Sequence, residues 1–347
     1  MPKRSFLGKA LTLSIAALTF SLLPTAALAK TEIRFAVLAP EGSTWLNLMK
    51  EFNTNLARET KGELSFKIFP GGISGDEFDV IRKMRIAKID SAGFTGVGLG
   101  QILPAIRVLE LPGLFDNYDE IDHVTSKMRP YFEKEFEKKG YVLLGWAEVG
   151  FVNIFSNKKV DSLASMEGIK MWAWEGDPLA KKLFEDMKLV PNPMPVTDVF
   201  TSLQTGLING VYISPLGAIA MQWFTKTKYM NTLKITNATG AVLITKSSFD
   251  KLPAAQKVLL KKRSDEFCRK LIKASRADNE KAYVTLKNNN ITFVDFKADD
   301  VQKFNDISKG VWKELTGQLY SKDVMDMALK YRDEVRNKKQ NVKKPKK

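Results

Sequence analysis

Short apolar segments alternate with amphipathic segments along most of this 347-residue chain, and this alternation constrains the fold more than any other feature. Residues 32–38 and 64–69 have the pattern of buried strands, and residues 44–60 between them have the pattern of a helix. The same order recurs in the middle, where residues 169–174 predict a strand and residues 177–187 a helix. Alternation of this kind is typical of an α/β fold with a mostly parallel sheet.

A helix of about ten turns is predicted for residues 253–288, where apolar residues recur at helical spacing. A helix of that length cannot be covered by one small domain, so we place it along two α/β lobes with a ligand cleft between them. The predicted boundaries are residues 30–148 plus about 238–275 for lobe I, 149–237 plus about 276–330 for lobe II, and 331–347 for a basic tail.

The first 29 residues have the features of a secretory signal peptide. Lys3 and Arg4 precede an apolar run over residues 10–23, and small residues end the segment at Ala27 and Ala29. The run of 14 residues is shorter than the roughly 20 that a membrane span needs. We therefore expect cleavage after Ala29 and export to the periplasm, with no membrane-spanning segment.

The net charge of +15 comes largely from the two ends of the chain. Three basic residues lie in the first nine positions and seven in the last twelve, which leaves +5 for the body. A body so close to neutrality does not predict a nucleic-acid-binding surface. We expect the basic C-terminal segment to be a solvated, disordered tail, and contact of this tail with nucleic acid or anionic lipid is the alternative.

The counts of cysteine and histidine exclude several kinds of site. Cys268 is the only cysteine and His123 the only histidine, so neither an intrachain disulfide nor a multi-histidine metal site can form. His123 fits a helix surface, and Cys268 fits packing on a helix face. Asp76, Glu77 and Asp79 lack the spacing of a calcium loop and fit the first turn of a helix. We expect no metal, no cofactor and no catalytic set.

The glycine-rich segment 96–100 does not have the spacing of a phosphate-binding loop. It reads Gly-Val-Gly-Leu-Gly, and no Gly-Lys-Ser/Thr follows. We interpret it as a flexible loop beside the cleft.

Residues 141–147 and 151–155 predict two further strands.

Aromatic residues near strand ends and loops are the candidates for the ligand site. Trp172 and Trp174 alternate along one strand, so their indoles face the same side. Asp177 and Pro178 then supply the N-cap and first position of the next helix. Core packing is the default interpretation of any single aromatic residue, but this arrangement suits a pocket wall. The predicted ligand-binding residues are Trp45, Thr95, Phe151, Trp172, Trp174, Tyr212 and Trp223.

Several motifs make the chain resemble the solute-binding proteins of TRAP (tripartite ATP-independent periplasmic) transporters, the DctP-like family. They are Glu167–Met171, Gly176–Ala180, Pro193–Val196, Thr201–Gly210, the loop that begins at Pro70, and Leu111–Phe115. The segment Ser202–Gly210 is the most specific, with Asn209 in the place of the usual acid. The resemblance implies a two-lobed periplasmic receptor that delivers a small molecule to membrane permease subunits, with uptake driven by an ion gradient.

The chain departs from that family pattern where relatives bind a substrate carboxylate. Trp172 and Val152 stand at positions where the family carries arginines. The polar positions after the Asn-Gly turn are Val211, Tyr212 and Ile213. Arg34 and Arg107 are the nearest candidates in the first lobe for a compensating arginine.

We therefore expect an apolar or aromatic ligand with few charges, because a buried carboxylate without a partner costs several kcal/mol. The alternatives are a TRAP receptor for an ordinary organic acid or dicarboxylate, a ligand sensor for a membrane kinase, and a periplasmic enzyme. An enzyme is disfavoured by the single histidine and by the lack of a G-x-S-x-G motif.

Overall fold

The structure is a computed structural model that describes residues 30–343, with side chains described as far as residue 339. The predicted signal peptide and its cleavage site lie outside the described residues. Among the described residues, no helix is both long enough and apolar enough to cross a membrane.

Ten strands are present in the part of the chain that the structure describes. They are β1 Thr31–Ala36, β2 Leu64–Phe69, β3 Ser91–Thr95, β4 Tyr141–Ser156, β5 Lys170–Trp174, β6 Val190–Met194, β7 Gly210–Ile213, β8 Tyr229–Asn231, β9 Thr236–Thr245 and β10 Thr292–Val294. Eight of them form one continuous path in the order β2-β1-β3-β9-β4-β7-β5-β6, while β8 pairs with β4 and β10.

Helices connect these strands and cover the sheet. They are α1 Thr44–Glu59, α2 Glu77–Arg85, α3 Gly96–Ile102, α4 Tyr118–Lys138, α5 Leu163–Met166, α6 Pro178–Asp186, α7 Val199–Thr205, α8 Pro215–Ala220, α9 Lys246–Asp250, α10 Ala254–Asn288, α11 Ala298–Leu315 and α12 Lys322–Lys343. Short 3₁₀ helices span Pro104–Glu110, Val196–Asp198 and Trp223–Lys226.

The sheet is parallel at its two ends and antiparallel at its centre. Strand β1 is parallel to β2 and β3, and β5 is parallel to β6 and β7. In contrast, β9 runs antiparallel to β3 and β4, and β4 runs antiparallel to β7. The prediction of a mostly parallel sheet therefore fails at the centre, because β4 and β9 cross between the two halves.

These crossing strands divide the molecule into two lobes. We call lobe I the half built on β1, β2 and β3, and lobe II the half built on β5, β6 and β7. The two-lobed α/β fold and the long shared helix are confirmed, since α10 packs against α1 of lobe I and α8 of lobe II. The boundaries predicted for the lobes stay a prediction.

Strand β4 is one long strand where the sequence pattern predicts two. Its pairing with β9 shifts register between Leu143 and Gly145 and again between Glu148 and Gly150. Gly150 has φ +110°, and a Cβ there would lie 2.6 Å from the side-chain amide of Asn279 on α10. The two irregularities bend the strand where it passes from lobe I to lobe II.

The glycine-rich segment predicted as a flexible loop is the helix α3. Its glycines make room for buried charged side chains, and the three close approaches are Gly96 to Glu110, Gly98 to Glu77 and Gly100 to Arg107. A Cβ at these positions would lie 2.1, 2.4 and 2.8 Å from the respective side chain. The glycine spacing therefore reflects packing against side chains that are distant in sequence, and local sequence patterns do not show such packing.

The C-terminal helix α12 packs along α4 and continues through much of the predicted basic tail, to Lys343. Two ion pairs join the two helices, Arg336 with Glu120 at 2.9 Å and Lys339 with Asp119 at 2.8 Å, and His123 Nε2 lies within hydrogen-bond distance of Glu334 at 2.7 Å. His123 thus lies on a helix surface with a structural partner.

Replacing Gly96 with alanine should destabilise the protein by about 1–3 kcal/mol, because its Cβ would overlap the buried Glu110 carboxyl. Gly310→Ala is the matched control, since Gly310 lies inside α11 and a Cβ added there would have nothing within 4 Å. That control should be neutral or stabilising by up to about 1 kcal/mol. Denaturant unfolding of both variants measures the difference, and equal stabilities would contradict the packing role of Gly96.

Candidate functional site

A cavity of about 540 Å³ lies between the two lobes. On the lobe I side it is lined by residues at and after the carboxyl ends of β1 and β3, and on the lobe II side by residues at and after the ends of β5 and β7. The crossing strands β4 and β9 form its base. Carboxyl ends of parallel strands are where α/β proteins place ligand sites.

Aromatic rings form the lobe II wall. Trp172 is stacked on Tyr212 with ring centroids 5.0 Å apart and meets Trp223 edge to face at 5.1 Å. Phe184 meets Tyr212 edge to face at 5.0 Å. The indole N–H of Trp172 donates to the Met194 carbonyl at 3.1 Å, so the ring is fixed in the wall. The packed rings offer a rigid apolar surface to a ligand.

The lobe I wall carries a further indole and a threonine. Trp45 stacks on Phe35 with centroids 5.9 Å apart, and Gly93 leaves room for it, since a Cβ there would lie 2.7 Å from the indole. Thr95 is the N-cap of α3, and its hydroxyl donates to Glu77 Oε2 at 2.9 Å.

Six of the seven predicted site residues line this cavity: Trp45, Thr95, Trp172, Trp174, Tyr212 and Trp223. Phe151 does not line it. Its ring packs 5.0 Å from Tyr118, with Lys234 Nζ 4.6 Å from its centroid, and the neighbouring Val152 lines the cavity instead. Successive residues of a strand face opposite sides, so only one of the two neighbours can face the cavity. Ligand contact by the other six stays a prediction.

Arg107 is the only basic side chain among the described residues that line the cavity. Its Nη2 donates to Asp177 Oδ2 at 3.0 Å, and its Nε lies 3.2 Å from Glu110 Oε2. All three side chains are at least 90% buried. Burial opposes the charge of the guanidinium, but the two carboxylates outweigh it and raise the pKa of Arg107.

The second arginine that the sequence offers, Arg34, does not line the cavity. It lies on β1 and pairs with Asp90 at 2.7 Å, and its side chain is partly exposed. Arg107 is thus the candidate that the fold brings to the site.

Two buried carboxyl groups lie beside α3. Glu77 accepts the backbone N–H groups of Thr95 at 2.7 Å and Gly98 at 2.8 Å, yet burial raises its pKa to about 8. Burial also raises the pKa of Glu110 to about 7, although the nearby Arg107 charge lowers it. Both groups therefore retain a proton near neutral pH more readily than ordinary glutamates do.

Acidic residues outnumber basic ones in the cavity lining. The acids are Glu41, Glu77, Glu110, Glu148 and Asp177. Glu148 is compensated from α10 by Arg276, through hydrogen bonds of 2.9 and 2.7 Å. No basic group among the described lining residues is left without a carboxylate partner, since Arg107 has two.

Asp76 forms a second polar contact between the lobes. Its carboxylate accepts the indole N–H of Trp174 at 2.8 Å and the backbone N–H of Val196 at 3.0 Å, both from lobe II. It also caps α2 in a reciprocal arrangement with Asp79. The acidic cluster predicted at this helix start is therefore structural, and no group of three His, Cys, Asp or Glu side chains in residues 30–343 could hold a metal ion.

Sequence reasoning misses Glu77, Glu110 and the second role of Asp177. It identifies Asp177 only as a helix cap, which it is, since its Oδ1 accepts the Leu179 N–H at 3.0 Å. The one signal that could have led to the carboxyl groups is the glycine spacing of residues 96–100, because glycines repeated in a helix require large neighbours.

The chain is similar to a known protein family over most of its length. The profile described as bacterial extracellular solute-binding protein, family 7 (DctP), matches residues 35–318. The 2,3-diketo-L-gulonate-binding periplasmic protein YiaO of Escherichia coli is 26% identical over 240 residues, which are 68% of this chain and 73% of that protein. The C4-dicarboxylate-binding periplasmic protein DctP of Shewanella loihica is 23% identical over 317 residues, 87% of this chain and 90% of that protein.

Solved structures share the fold. The sugar acid binding protein DctPAm of Advenella mimigardefordensis, in complex with galactonate, superposes with a TM-score of 0.84 at 21% identity, covering 88% of this chain and 99% of that one. A TRAP periplasmic solute-binding protein of Citrobacter koseri with bound D-glucuronate gives a TM-score of 0.79 at 24% identity, covering 86% and 98%.

Glu77→Gln should change how stability depends on pH. The folded-state pKa of Glu77, about 8, lies above its ordinary value of 4.5, so its stabilising contribution is full below about pH 4.5 and is lost as the pH rises to about 8. The quantity compared is the unfolding free energy of the glutamine variant minus that of the parent protein. This difference should rise by more than about 1 kcal/mol from pH 5 to pH 8.

Urea unfolding at pH 5, 6.5 and 8 measures this gain. The exposed Glu51, which pairs with Lys270 at 2.7 Å, supplies the control variant Glu51→Gln. Its difference from the parent should stay within about 0.5 kcal/mol at all three pH values. A difference for Glu77→Gln that is equally flat would show that the buried carboxyl titrates normally.

Proposed function

This chain belongs to family 7 of the bacterial extracellular solute-binding proteins, the DctP family, and from that premise we propose that its cavity captures a predominantly apolar or aromatic molecule with few charges. It is the solute-binding receptor of a TRAP-type transporter. The relatives named above bind sugar acids and dicarboxylates, so the proposal concerns how this cavity differs from theirs.

The single observation that carries the proposal is that Arg107 already has two carboxylate partners within the protein. A ligand carboxylate entering the cavity would meet a guanidinium whose charge is balanced by Asp177 and Glu110. A carboxylate transferred from water without a free cationic partner loses several kcal/mol. The electrostatics of the lining therefore disfavour an anionic ligand.

The aromatic wall supplies the favourable part of the binding energy. Each 100 Å² of apolar ligand surface removed from water is worth about 2.5 kcal/mol. Stacking on an indole adds about 0.5–1.5 kcal/mol for an aromatic ligand. An aromatic ring held between Trp172 and Trp45 would gain both contributions, and a hydrocarbon chain would gain the first.

A receptor for an organic acid is the second candidate, and one observation favours it. The Arg107 guanidinium lies in the cavity wall, where a ligand carboxylate could compete with Asp177 for it. The ligands of the named relatives are acids of this kind. The two candidates differ in one measurable property, the charge of the bound molecule.

We further propose that the protein is exported, that its leader is removed after Ala29, and that it delivers its ligand to membrane permease subunits without catalysing a reaction. Periplasmic members of the family support the location. Binding without turnover is supported by the family's role and by the position of His123, which pairs with Glu334 away from the cavity.

Mass spectrometry of the small molecule that co-purifies with the natively folded protein tests the ligand class. The expected molecule contains a ring or a hydrocarbon chain and no carboxylate. A sugar acid or a dicarboxylate, released in stoichiometric amount on denaturation, would contradict the proposal and support the second candidate.

Trp172→Phe should weaken binding of that molecule by about 2- to 10-fold, since it removes part of the stacked surface and the hydrogen bond to Met194. Trp146→Phe is the matched control, because Trp146 is also buried but does not line the cavity. Calorimetric titration of refolded, ligand-free protein gives both affinities. Equal affinities would remove Trp172 from the binding surface.

A further inference from the structure

We infer that Asp177 is the specificity-determining residue of this cavity, because it occupies from within the protein the place on Arg107 that a ligand carboxylate would take. The inference rests on the proposed function of the cavity as the ligand site. Asp177 is a single residue that sets whether the cavity accepts an anionic ligand, so replacing it should reverse that preference.

The contact joins the two lobes across the cavity. Arg107 lies in the 3₁₀ helix Pro104–Glu110 of lobe I, and Asp177 follows β5 in lobe II. The Nη2–Oδ2 distance is 3.0 Å, with 7% of the arginine side chain and 1% of the aspartate side chain exposed. Because both residues also line the cavity, the ion pair is part of the surface that a ligand meets.

The guanidinium has no further charge to offer. Glu110 lies 3.2 Å from Nε and is itself held in place by the backbone N–H of Thr239 at 2.7 Å. A guanidinium recognises a carboxylate best through two parallel N–H groups, and here Asp177 already occupies Nη2. A third carboxylate would have to displace Asp177 or sit beside its negative charge and close to Glu110, and like charges at such distances repel.

Asp177 is not free to move away. Its second oxygen, Oδ1, accepts the Leu179 N–H at 3.0 Å and so caps α6, and Pro178 fixes the backbone at the first helical position. Rotation of the carboxylate away from Arg107 would therefore uncap the helix. A competitor held this rigidly excludes weakly bound carboxylates from the guanidinium.

Removal of Asp177 would leave Arg107 paired with Glu110 alone. A bound carboxylate would then restore the charge that the substitution removed. No other basic side chain among the described lining residues could act as the anchor, so the effect should be specific to this pair.

The test uses Asp177→Ser, which keeps a residue that can cap α6 while it frees the volume and charge of the carboxylate. Asp186→Ser is the matched control, since it removes the same charge from the last turn of the same helix, where Asp186 pairs with Lys182. Acetate and succinate are titrated into refolded, ligand-free protein at low ionic strength, and binding is followed by tryptophan fluorescence.

The expected result is at least a fivefold gain in affinity for acetate or succinate in Asp177→Ser, with Asp186→Ser equal to the parent protein. A gain below fivefold for both acids in a cooperatively folded Asp177→Ser protein overturns the inference. If that variant does not refold, Asp177→Asn, which keeps both volume and cap, is measured by the same criterion.

The ratio between variant and parent tests Asp177, whereas the absolute affinity of the parent tests the proposed ligand class. Micromolar or tighter binding of succinate by the parent protein would contradict the proposed ligand class. The ratio of the two affinities, variant to parent, would still decide the role of Asp177. The two failures are therefore distinguishable in one set of titrations.

Discussion

The buried ion pair between Arg107 and Asp177 is the contact on which the character of the cavity depends. It joins the lobes and balances the one basic group of the described lining. Buried ion pairs are costly unless every charged atom has a partner, because desolvation competes with attraction. The Thr239 amide holds Glu110 and the α6 cap holds Asp177, while Arg107 Nε lies 3.2 Å from Glu110 without a hydrogen bond.

The elements around the Arg107–Asp177 pair make room for the charged side chains of this network. Helix α3 carries glycines where Glu110, Glu77 and Arg107 approach it, so these side chains can be buried against backbone. The aromatic wall of lobe II lines the same cavity, and Asp76 joins the lobes a second time through Trp174 and Val196. Polar groups thus join the lobes at two places, and aromatic rings line the cavity between them.

Much of this fold could be predicted from local pattern. Alternating strands and helices, the cap Asp177 and the long helix α10 all follow from residue spacing and end signals, and the structure contains each of them. What could not be predicted depends on distant neighbours. The glycines of α3 reflect side chains from other elements, and the bulge between Glu148 and Gly150 makes strand phase uncertain around Phe151. The sequence offers Arg107 as one of two candidate arginines, but it does not reveal the carboxyl groups around it, because they are separated by up to 100 residues, from Glu77 to Asp177.

The most direct test of this account is a crystal structure of the protein with the ligand that co-purifies from cells. We expect the Arg107–Asp177 contact to stay near 3.0 Å, with the ligand packed against Trp172 and Tyr212 and no anionic group of the ligand on the guanidinium. A ligand carboxylate bound to Arg107, with Asp177 turned away, would contradict the account.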